Sequence, residues 1–284
     1  MTVQIGILCD RIRPDERMVI EAAKRKSVDF RLHNVDELFF DTVRDPETQF
    51  EKVILQRAMS YFKSMHVTAL LENNGIQVVN SFNAALICGN KLLTSIALSK
   101  AGVPTPKTVV AFTEDSALKA LEKVGYPAIL KPVVGSWGRL IAPLKDLDSA
   151  RAILESREYM FPLYQVFYIQ EMIQGLLRDI RCFVIGDRAV AAIYRYSAPG
   201  EWRTNVARGG RAEVCQITPE LEDLCVKSAK AVGGGAFGVD VMESSNGLVV
   251  NEVNYTTEFK ATTESTGVDI PGMVLDYLVD MARR

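Results

Sequence analysis

An α/β fold is predicted from three observations. The first third of the chain alternates short apolar runs with amphipathic stretches, the rhythm of parallel βαβ units. The later two thirds mix strands, turns and helices in the manner of α+β lobes. At roughly 150 residues per domain, 284 residues make one large α/β unit or two to three small lobes. Hydrophobic residues are 48% of the chain and charged residues 24%, the usage of a folded globular protein rather than a disordered tract or a coiled-coil rod.

Apolar runs at 4–8, 28–32, 53–55 and 77–79 predict the strands of a mainly parallel sheet, with a first connecting helix over 14–26. A helix over 90–100 is stopped by Gly102 and Pro104, and Pro104-Thr105-Pro106 reads as a linker. A lobe boundary is expected near Cys88. Beyond it come a helix over 114–124, a strand at 127–130, a Gly-rich turn at 135–138, a strand beginning at Leu140 and another at 168–171. The last third predicts strands at 180–185 and 189–194, a helix over 219–232, a hairpin over 239–254 and a closing helix over 271–283.

Charge excludes some functions. With 33 Lys+Arg against 35 Asp+Glu, the formal charge of −2 gives no whole-molecule field for nucleic acid or an anionic membrane. No apolar run approaches the ~18 residues that span a bilayer, and Asp10, Arg11 and Arg13 interrupt any signal-peptide core, so a cytoplasmic protein is expected. The five cysteines are odd in number and lack a C-x-x-C pair, which predicts reduced thiols. His33 and His66 have no metal-type spacing, which argues against zinc chemistry and a Ser-His-Asp hydrolase.

Gly233, Gly235 and Gly238 spell G-x-G-x-x-G, but the dinucleotide fingerprint needs a strand before it and a helix after it. Here a helix precedes and a strand follows, so a helix C-cap and tight turn are expected and an oxidoreductase is disfavoured.

The hairpin carries the chemistry. Asp240, Glu252 and Asn254 offer the oxygen ligands that hard cations select, and Mg²⁺ takes one or two carboxylates plus substrate phosphates. A two-residue Asn246-Gly247 turn pairs Asp240 with Val253 and scatters them. A three-residue loop over 245–247, with Gly247 left-handed, pairs Asp240 with Glu252, keeps Asn254 on that face, and puts Val239, Val241, Val249 and Val253 on the other. The second register is predicted; the plain alternative is two solvated carboxylates.

Lys131 ends a strand and precedes Gly135-Ser136-Trp137-Gly138-Arg139, which suits phosphate oxygens held by an ammonium and backbone N–H groups, or is an ordinary turn. Lys91, at a helix start, is a second candidate phosphate contact. Arg195, Arg203, Arg208 and Arg211, with Asn205 and Gly209-Gly210, form either a polyanion-binding loop or a solvated basic one.

The order of these motifs resembles the ATP-grasp superfamily: Lys91, Lys131-Pro132 with a Gly-rich loop, Gln170-Glu171-Met172-Ile173, then Asp240 with Asn251-Glu252-Val253-Asn254. The strings at 10–17 (DRIRPDER), 135–140 (GSWGRL), 178–181 (RDIR) and 258–260 (EFK) resemble more closely the LysX/ArgX ligases of carrier-protein-dependent lysine and arginine biosynthesis.

The resemblance implies a three-lobed ATP-grasp fold: an N-terminal parallel-sheet lobe (1–88), a central lobe with the Gly-rich lid (89–169) and a C-terminal lobe with the magnesium site (170–284). It implies ATP and magnesium, two ions, as cofactors. Lys91, Lys131, Gly135, Ser136, Trp137, Gly138, Arg139, Asp179, Arg181 and Asn205 would hold nucleotide, and Gln170, Glu171, Met172 and Ile173 would line the adenine pocket. Asp240, Glu252 and Asn254 would bind magnesium, in agreement with the register argument.

In this family ATP phosphorylates the side-chain carboxylate of the C-terminal glutamate of a small acidic carrier, LysW, and an amino acid's α-amine attacks the acyl phosphate. Arg195 would be catalytic, stabilising the tetrahedral oxyanion or holding a substrate carboxylate. Arg195, Val206, Ala207 and the segment Glu258, Phe259, Lys260, Ala261 and Thr262 would contact the substrate. Glutamate-specific relatives carry Gly-Phe where this chain has Ala261-Thr262, and the stretch 257–271 looks more like the α-aminoadipate enzymes. Those often carry Asn at the position of Ala261. A glutamate–LysW ligase, a dual enzyme, a protein glutamate ligase and a non-catalytic nucleotide-binding module are the alternatives. The family also implies a homodimer or homotetramer.

Overall fold

The computed structural model describes residues 4–43, 49–135, 137–173, 178–198 and 210–284. The N-terminal sheet comprises β1 (Gln4–Cys9), β2 (Asp29–Asn34), β3 (Val53–Gln56) and β4 (Gln77–Val79), all parallel in the order β2-β1-β3-β4. Between them run α1 (Pro14–Arg25) and α2 (Tyr61–Asn73), and α3 (Phe82–Cys88) follows. α1 begins with Pro14 at its first position, Asp15 and Glu16 in the first turn, and Lys24 and Arg25 in the last, the charge order that a helix dipole favours.

Both faces of this sheet are covered, which is why β1 and β3 read as unbroken apolar runs. One face packs Leu8 and Ile54 against Val67 and Leu71 of α2. The other packs Ile5, Ile7 and Val53 against Val19 of α1 and against the closing helix α9 (Ile270–Ala282). Leu275 and Leu278 of α9 are fully buried, each contributing roughly 1.5–3 kcal/mol, so the chain's last helix is anchored to its first strands.

The central sheet is antiparallel, ordered β5 (Thr108–Ala111), β8 (Phe167–Glu171), β6 (Ala128–Lys131) and β7 (Ala142–Leu144). α5 (Glu114–Val124) and α6 (Leu147–Glu158) pack on it around Leu121, Leu130, Leu154 and Phe167, a core of its own. The third sheet is antiparallel in the order β11 (Arg211–Val214), β10 (Arg188–Tyr196), β9 (Arg178–Ile185), β12 (Ala236–Ser244) and β13 (Gly247–Asn254). Its core joins Val239, Val241 and Val253 to Leu221 and Cys225 of α7 (Pro219–Ala231) and to Leu98 of α4 (Lys91–Lys100). By packing, α4 therefore sits with the C-terminal sheet.

Several elements differ from the sequence reading. α2, α3, α6, β5, β11 and the short helix α8 (Lys260–Thr266) are additional. β7 starts at Ala142 rather than Leu140, because Leu140 has φ +56° and belongs to the preceding turn. The Gly233–Gly235 run is a turn between α7 and β12, where a Cβ at Gly235 would collide with the Asn80 Oδ1 that accepts the Ala236 N–H. All five cysteines are unpaired and buried. His33 meets Glu51 at 2.7 Å and His66 meets the Phe62 carbonyl at 2.7 Å, both in the N-terminal lobe. No helix among the described residues is long and apolar enough to cross a membrane.

Candidate active site

The hairpin β12–β13 reaches the predicted pairing by a different route. Ser244 pairs with Gly247, so the turn is the two residues Ser245-Asn246, and Gly247 follows it with φ +103°. Continued without interruption, that register would set Asp240 opposite Asn251 and turn Glu252 toward the core. A β-bulge intervenes: Val241 pairs with Val250 and Asp240 with Glu252, leaving Asn251 as the extra residue. The predicted three-residue loop is therefore corrected to a two-residue turn plus a bulge. Val250 takes the buried position expected of Val249, which lies opposite Met242.

One face of the C-terminal sheet now carries a row of charge across four adjacent strands. Arg195 of β10 pairs with Asp179 of β9; Arg181, two residues on, pairs with Asp240 of β12; Asp240 pairs with Glu252 of β13. The side chains follow the strand pairing. Arg195 donates from Nε and Nη2 to the two Asp179 oxygens, both at 2.7 Å, and Nη2 also lies 3.0 Å from Asp240 Oδ2. Arg181 grips Asp240 bidentately through Nε and through Nη2 at 2.9 Å. Burial alone would raise the Asp240 carboxyl, but Arg181 and Arg195 outweigh it and hold it below the usual carboxylate range. Burial likewise opposes the Arg195 charge, and Asp240 and Asp179 more than restore it.

Opposite this face stand the two lysines. Lys131, at the end of β6, is 8% exposed and donates to Gln170 Oε1 at 2.6 Å and Asn251 Oδ1 at 2.8 Å. Burial and the neighbouring Lys91 lower its ammonium from 10.5 to about 8. Lys91 opens α4, whose N-cap Asn90 accepts from Leu92 and Leu93, and it donates to Glu252 Oε1 and the Gly135 carbonyl, both at 2.9 Å. Two cations facing two neutral amides and one carboxylate suit an arriving polyanion.

The cleft between the central and C-terminal sheets has a volume of about 940 Å³, near the top of the range for ligand pockets. Gln170, Glu171, Met172 and Ile173 line one wall. Gln170 is fixed there, since its Nε2 donates to Thr108 Oγ1 at 3.0 Å and to Tyr168 OH at 3.2 Å. Gly135, Trp137 and Gly138 line the mouth, where the loop needs positive φ at Gly138 (+65°) and Trp137 (+59°), and the Arg139 guanidinium sits 5.1 Å from the Trp137 ring.

At the far end lies the segment after the hairpin. Glu258, Lys260, Ala261 and Thr262 line the cleft. Phe259 does not: at 3% exposure it packs edge-on to Phe183 and under the Arg57 guanidinium, 5.2 Å from its ring centroid, and so anchors the segment rather than facing substrate. Ser136, Asn205, Val206 and Ala207, with Arg203 and Arg208, lie outside the described residues.

The donor set fits magnesium by its chemistry. Among the described residues no cluster of three or more His, Cys, Asp or Glu side chains forms, so the candidate ligands are two carboxylates and one amide, which leaves positions for phosphate oxygens and water. Asn254 presents its amide nitrogen to Gly238 O and Asp240 Oδ2, each at 3.4 Å, so ligation through oxygen requires the amide to turn over.

Sequence reasoning placed Asn251 within its motif but gave it no role, because strand alternation turns it away from Glu252's face and only the bulge brings it back. It missed Asp15 and Arg13, which line the cleft from the N-terminal lobe, and Arg178, which pairs with Glu243 at 2.8 Å.

Two family models cover the chain: a LysX preATP-grasp domain matches residues 5–87 and a RimK-like ATP-grasp domain matches residues 88–278. Among curated relatives, the alpha-aminoadipate–LysW ligase LysX of Sulfurisphaera tokodaii is 36% identical over 279 residues, 97% of this chain and 96% of that one. The glutamate–LysW ligase ArgX of Sulfolobus acidocaldarius is 32% identical over 280 residues, 97% of this chain and 98% of that one. A crystal structure of a RimK domain ATP-grasp protein from Sphaerobacter thermophilus aligns with a TM-score of 0.81 at 26% identity, covering 97% of this chain and 99% of that one.

Proposed function

This chain belongs to the RimK-like ATP-grasp family, with a LysX preATP-grasp domain ahead of the ligase domain, and from that premise we propose that it is a LysW ligase acting on α-aminoadipate. It has the ATP-grasp fold and is an ATP-dependent carboxylate–amine ligase. In the proposed reaction the γ-phosphoryl group of ATP passes to the C-terminal glutamate side chain of a LysW-type carrier, and the α-amine of the amino acid displaces phosphate from the acyl phosphate. The three-lobe division at 1–88, 89–169 and 170–284 belongs to the same proposal, with α4 packed on the C-terminal core.

One observation carries this reading: Asp240 and Glu252 pair across β12 and β13 directly beneath Lys91 and Lys131. Lys91 and Lys131 hold the phosphates together with the loop Gly135 to Arg139, Ser136 and Asn205. Gln170 to Ile173 receive the adenine. Asp240, Glu252 and Asn254 hold magnesium, which when bound neutralises phosphate charge. Asp179 and Arg181 set the floor of the nucleotide site. Arg195 commits Nε and Nη2 to carboxylates, so its contact with the tetrahedral oxyanion or with a substrate carboxylate falls to Nη1. Glu258, Lys260, Ala261 and Thr262, which line the cleft, receive the amino acid, and the same substrate role is assigned to Val206 and Ala207.

The near alternative is glutamate as the amino acid, since the relatives include both LysX and ArgX ligases at similar identity. The intact mass of a LysW-type carrier, incubated with this protein, Mg²⁺ and ATP and with each acid in its own tube, tests both. Addition of α-aminoadipate alone supports the proposal; addition of glutamate alone replaces it with the alternative; addition of both marks a dual enzyme. ADP release without any mass gain overturns the choice of carrier.

A further inference from the structure

The segment that follows the magnesium hairpin is held from the other end of the chain. α8 begins at Lys260, yet its N-cap, Phe259, contributes no side-chain hydrogen bond and its first turn contains no acid. Its sequence, Lys-Ala-Thr-Thr-Glu-Ser-Thr, is rich in β-branched residues that lose rotamer freedom in a helix. What such a helix lacks, Asp15 of α1 supplies. Asp15 Oδ1 accepts the backbone N–H of Phe259 at 2.6 Å and of Lys260 at 3.0 Å, across more than 240 residues of sequence. Asp15 is 5% exposed, so these two N–H groups meet a carboxylate largely shielded from water.

The neighbouring residue reinforces the link. Glu16 accepts from Arg57 Nε at 2.9 Å, and Arg57 Nη1 donates to the Thr257 carbonyl at 2.8 Å. Two consecutive acids at the start of α1 thus fix both ends of the backbone 257–260, one directly and one through Arg57. Glu258 and Lys260, which line the cleft, stand on either side of the buried Phe259.

We infer that Asp15 is the positioning residue of amino-acid selection: by capping α8 in place of a local cap it sets where the segment 258–262 stands relative to the hairpin. This rests on the proposed reading of that segment as the amino-acid site. Asp15 acts through the backbone of α8 and needs an acceptor oxygen at this point rather than a charge in the cleft.

The test compares Asp15→Ala, Asp15→Asn and Asp15→Glu in the full-length protein, with separate KM values for amino acid and ATP and with amide hydrogen exchange over 259–266. Loss of a cap predicts that Asp15→Ala raises the amino-acid KM about tenfold, leaves the ATP KM within about twofold and speeds exchange in α8. Asp15→Asn, which keeps the acceptor, restores both readouts, and Asp15→Glu, which keeps the charge but moves the oxygen, does not. If Asp15→Ala does not fold, the Asn and Glu pair decides. An unchanged amino-acid KM in Asp15→Ala overturns the inference, as does an Asn variant as defective as the Ala variant, which would make Asp15 a direct ligand. If the parent protein transfers neither amino acid, the proposed function fails while the exchange result still judges the capping.

Discussion

Lys131 Nζ lies 2.8 Å from Oδ1 of Asn251, the residue that the β13 bulge adds to the hairpin. Its neighbour Glu252 meets the other lysine, Lys91, at 2.9 Å. Successive residues of a regular strand face opposite ways, so one strand could not send both side chains to one cleft. The bulge resolves this, and each lysine thereby has its own partner before any polyanion arrives.

Asn251→Ala should therefore weaken nucleotide binding without unfolding the hairpin. A hydrogen bond to a charged group contributes about 1.5–3 kcal/mol, and Gln170 still accepts from Lys131, so the ATP KM should rise roughly tenfold with kcat little changed. Steady-state kinetics check this; an unaltered ATP KM would show that the Asn251 contact gives way to phosphate at no cost.

Lys131 also predicts a pH dependence. Its ammonium sits at about 8 in the folded protein against 10.5 ordinarily, a lowered value. Between these two pH values the unfolded chain retains a proton that the folded one has lost, so Lys131's contribution to stability rises with pH across that window. The proposed phosphate contact works in the opposite direction because it would need the ammonium: affinity should be flat below pH 8 and fall about tenfold per pH unit above it. Calorimetric titration with a non-hydrolysable ATP analogue from pH 7 to about 9.5 reads this slope, and Lys131→Met should bind weakly and flatten it.

What was legible in the sequence followed from local signals. α5 occupies 114–124 as read, because Thr113 caps it and Gly125 with φ +89° ends it. β4 occupies 77–79 as read, on the signal of Val78 and Val79, both buried. α8 was not legible, since its propensity is poor and its cap comes from Asp15. α6 carried a readable signal, Asp146 with Ser149 in a capping box. In the site, the segregation of carboxylates from valines predicted the Asp240–Glu252 pair correctly, but periodicity carries no trace of a bulge. Phe259 illustrates the same limit: its neighbours in sequence face the cleft, while the lobe interface claims its ring.

Glu252→Gln should abolish turnover while leaving the fold intact. The amide can still accept from Lys91, but it loses the charge that a hard cation selects. Circular dichroism and thermal melting should match the parent, and ADP release should fall to background. Full activity in this variant would remove Glu252 from the proposed magnesium site.

Arg195 needs two substitutions to be understood. It is paired with both Asp179 and Asp240, with its side chain 13% exposed, so Arg195→Ala removes the cation that these two carboxylates share, while Arg181 still grips Asp240. Breaking a buried pair from one side costs about 3–5 kcal/mol, and urea denaturation should show a loss of that order together with the loss of activity. That variant alone does not separate folding from catalysis. Arg195→Lys keeps the charge between the carboxylates and so should recover most of the stability, but a lysine lacks the planar fork that leaves Nη1 directed elsewhere. If Nη1 meets the oxyanion, Arg195→Lys should still be slowed about 10²-fold in kcat, the cost of one lost oxyanion donor, with little change in ATP KM. Near-parental kcat in the lysine variant would reduce Arg195 to the cation that keeps Asp179 and Asp240 together.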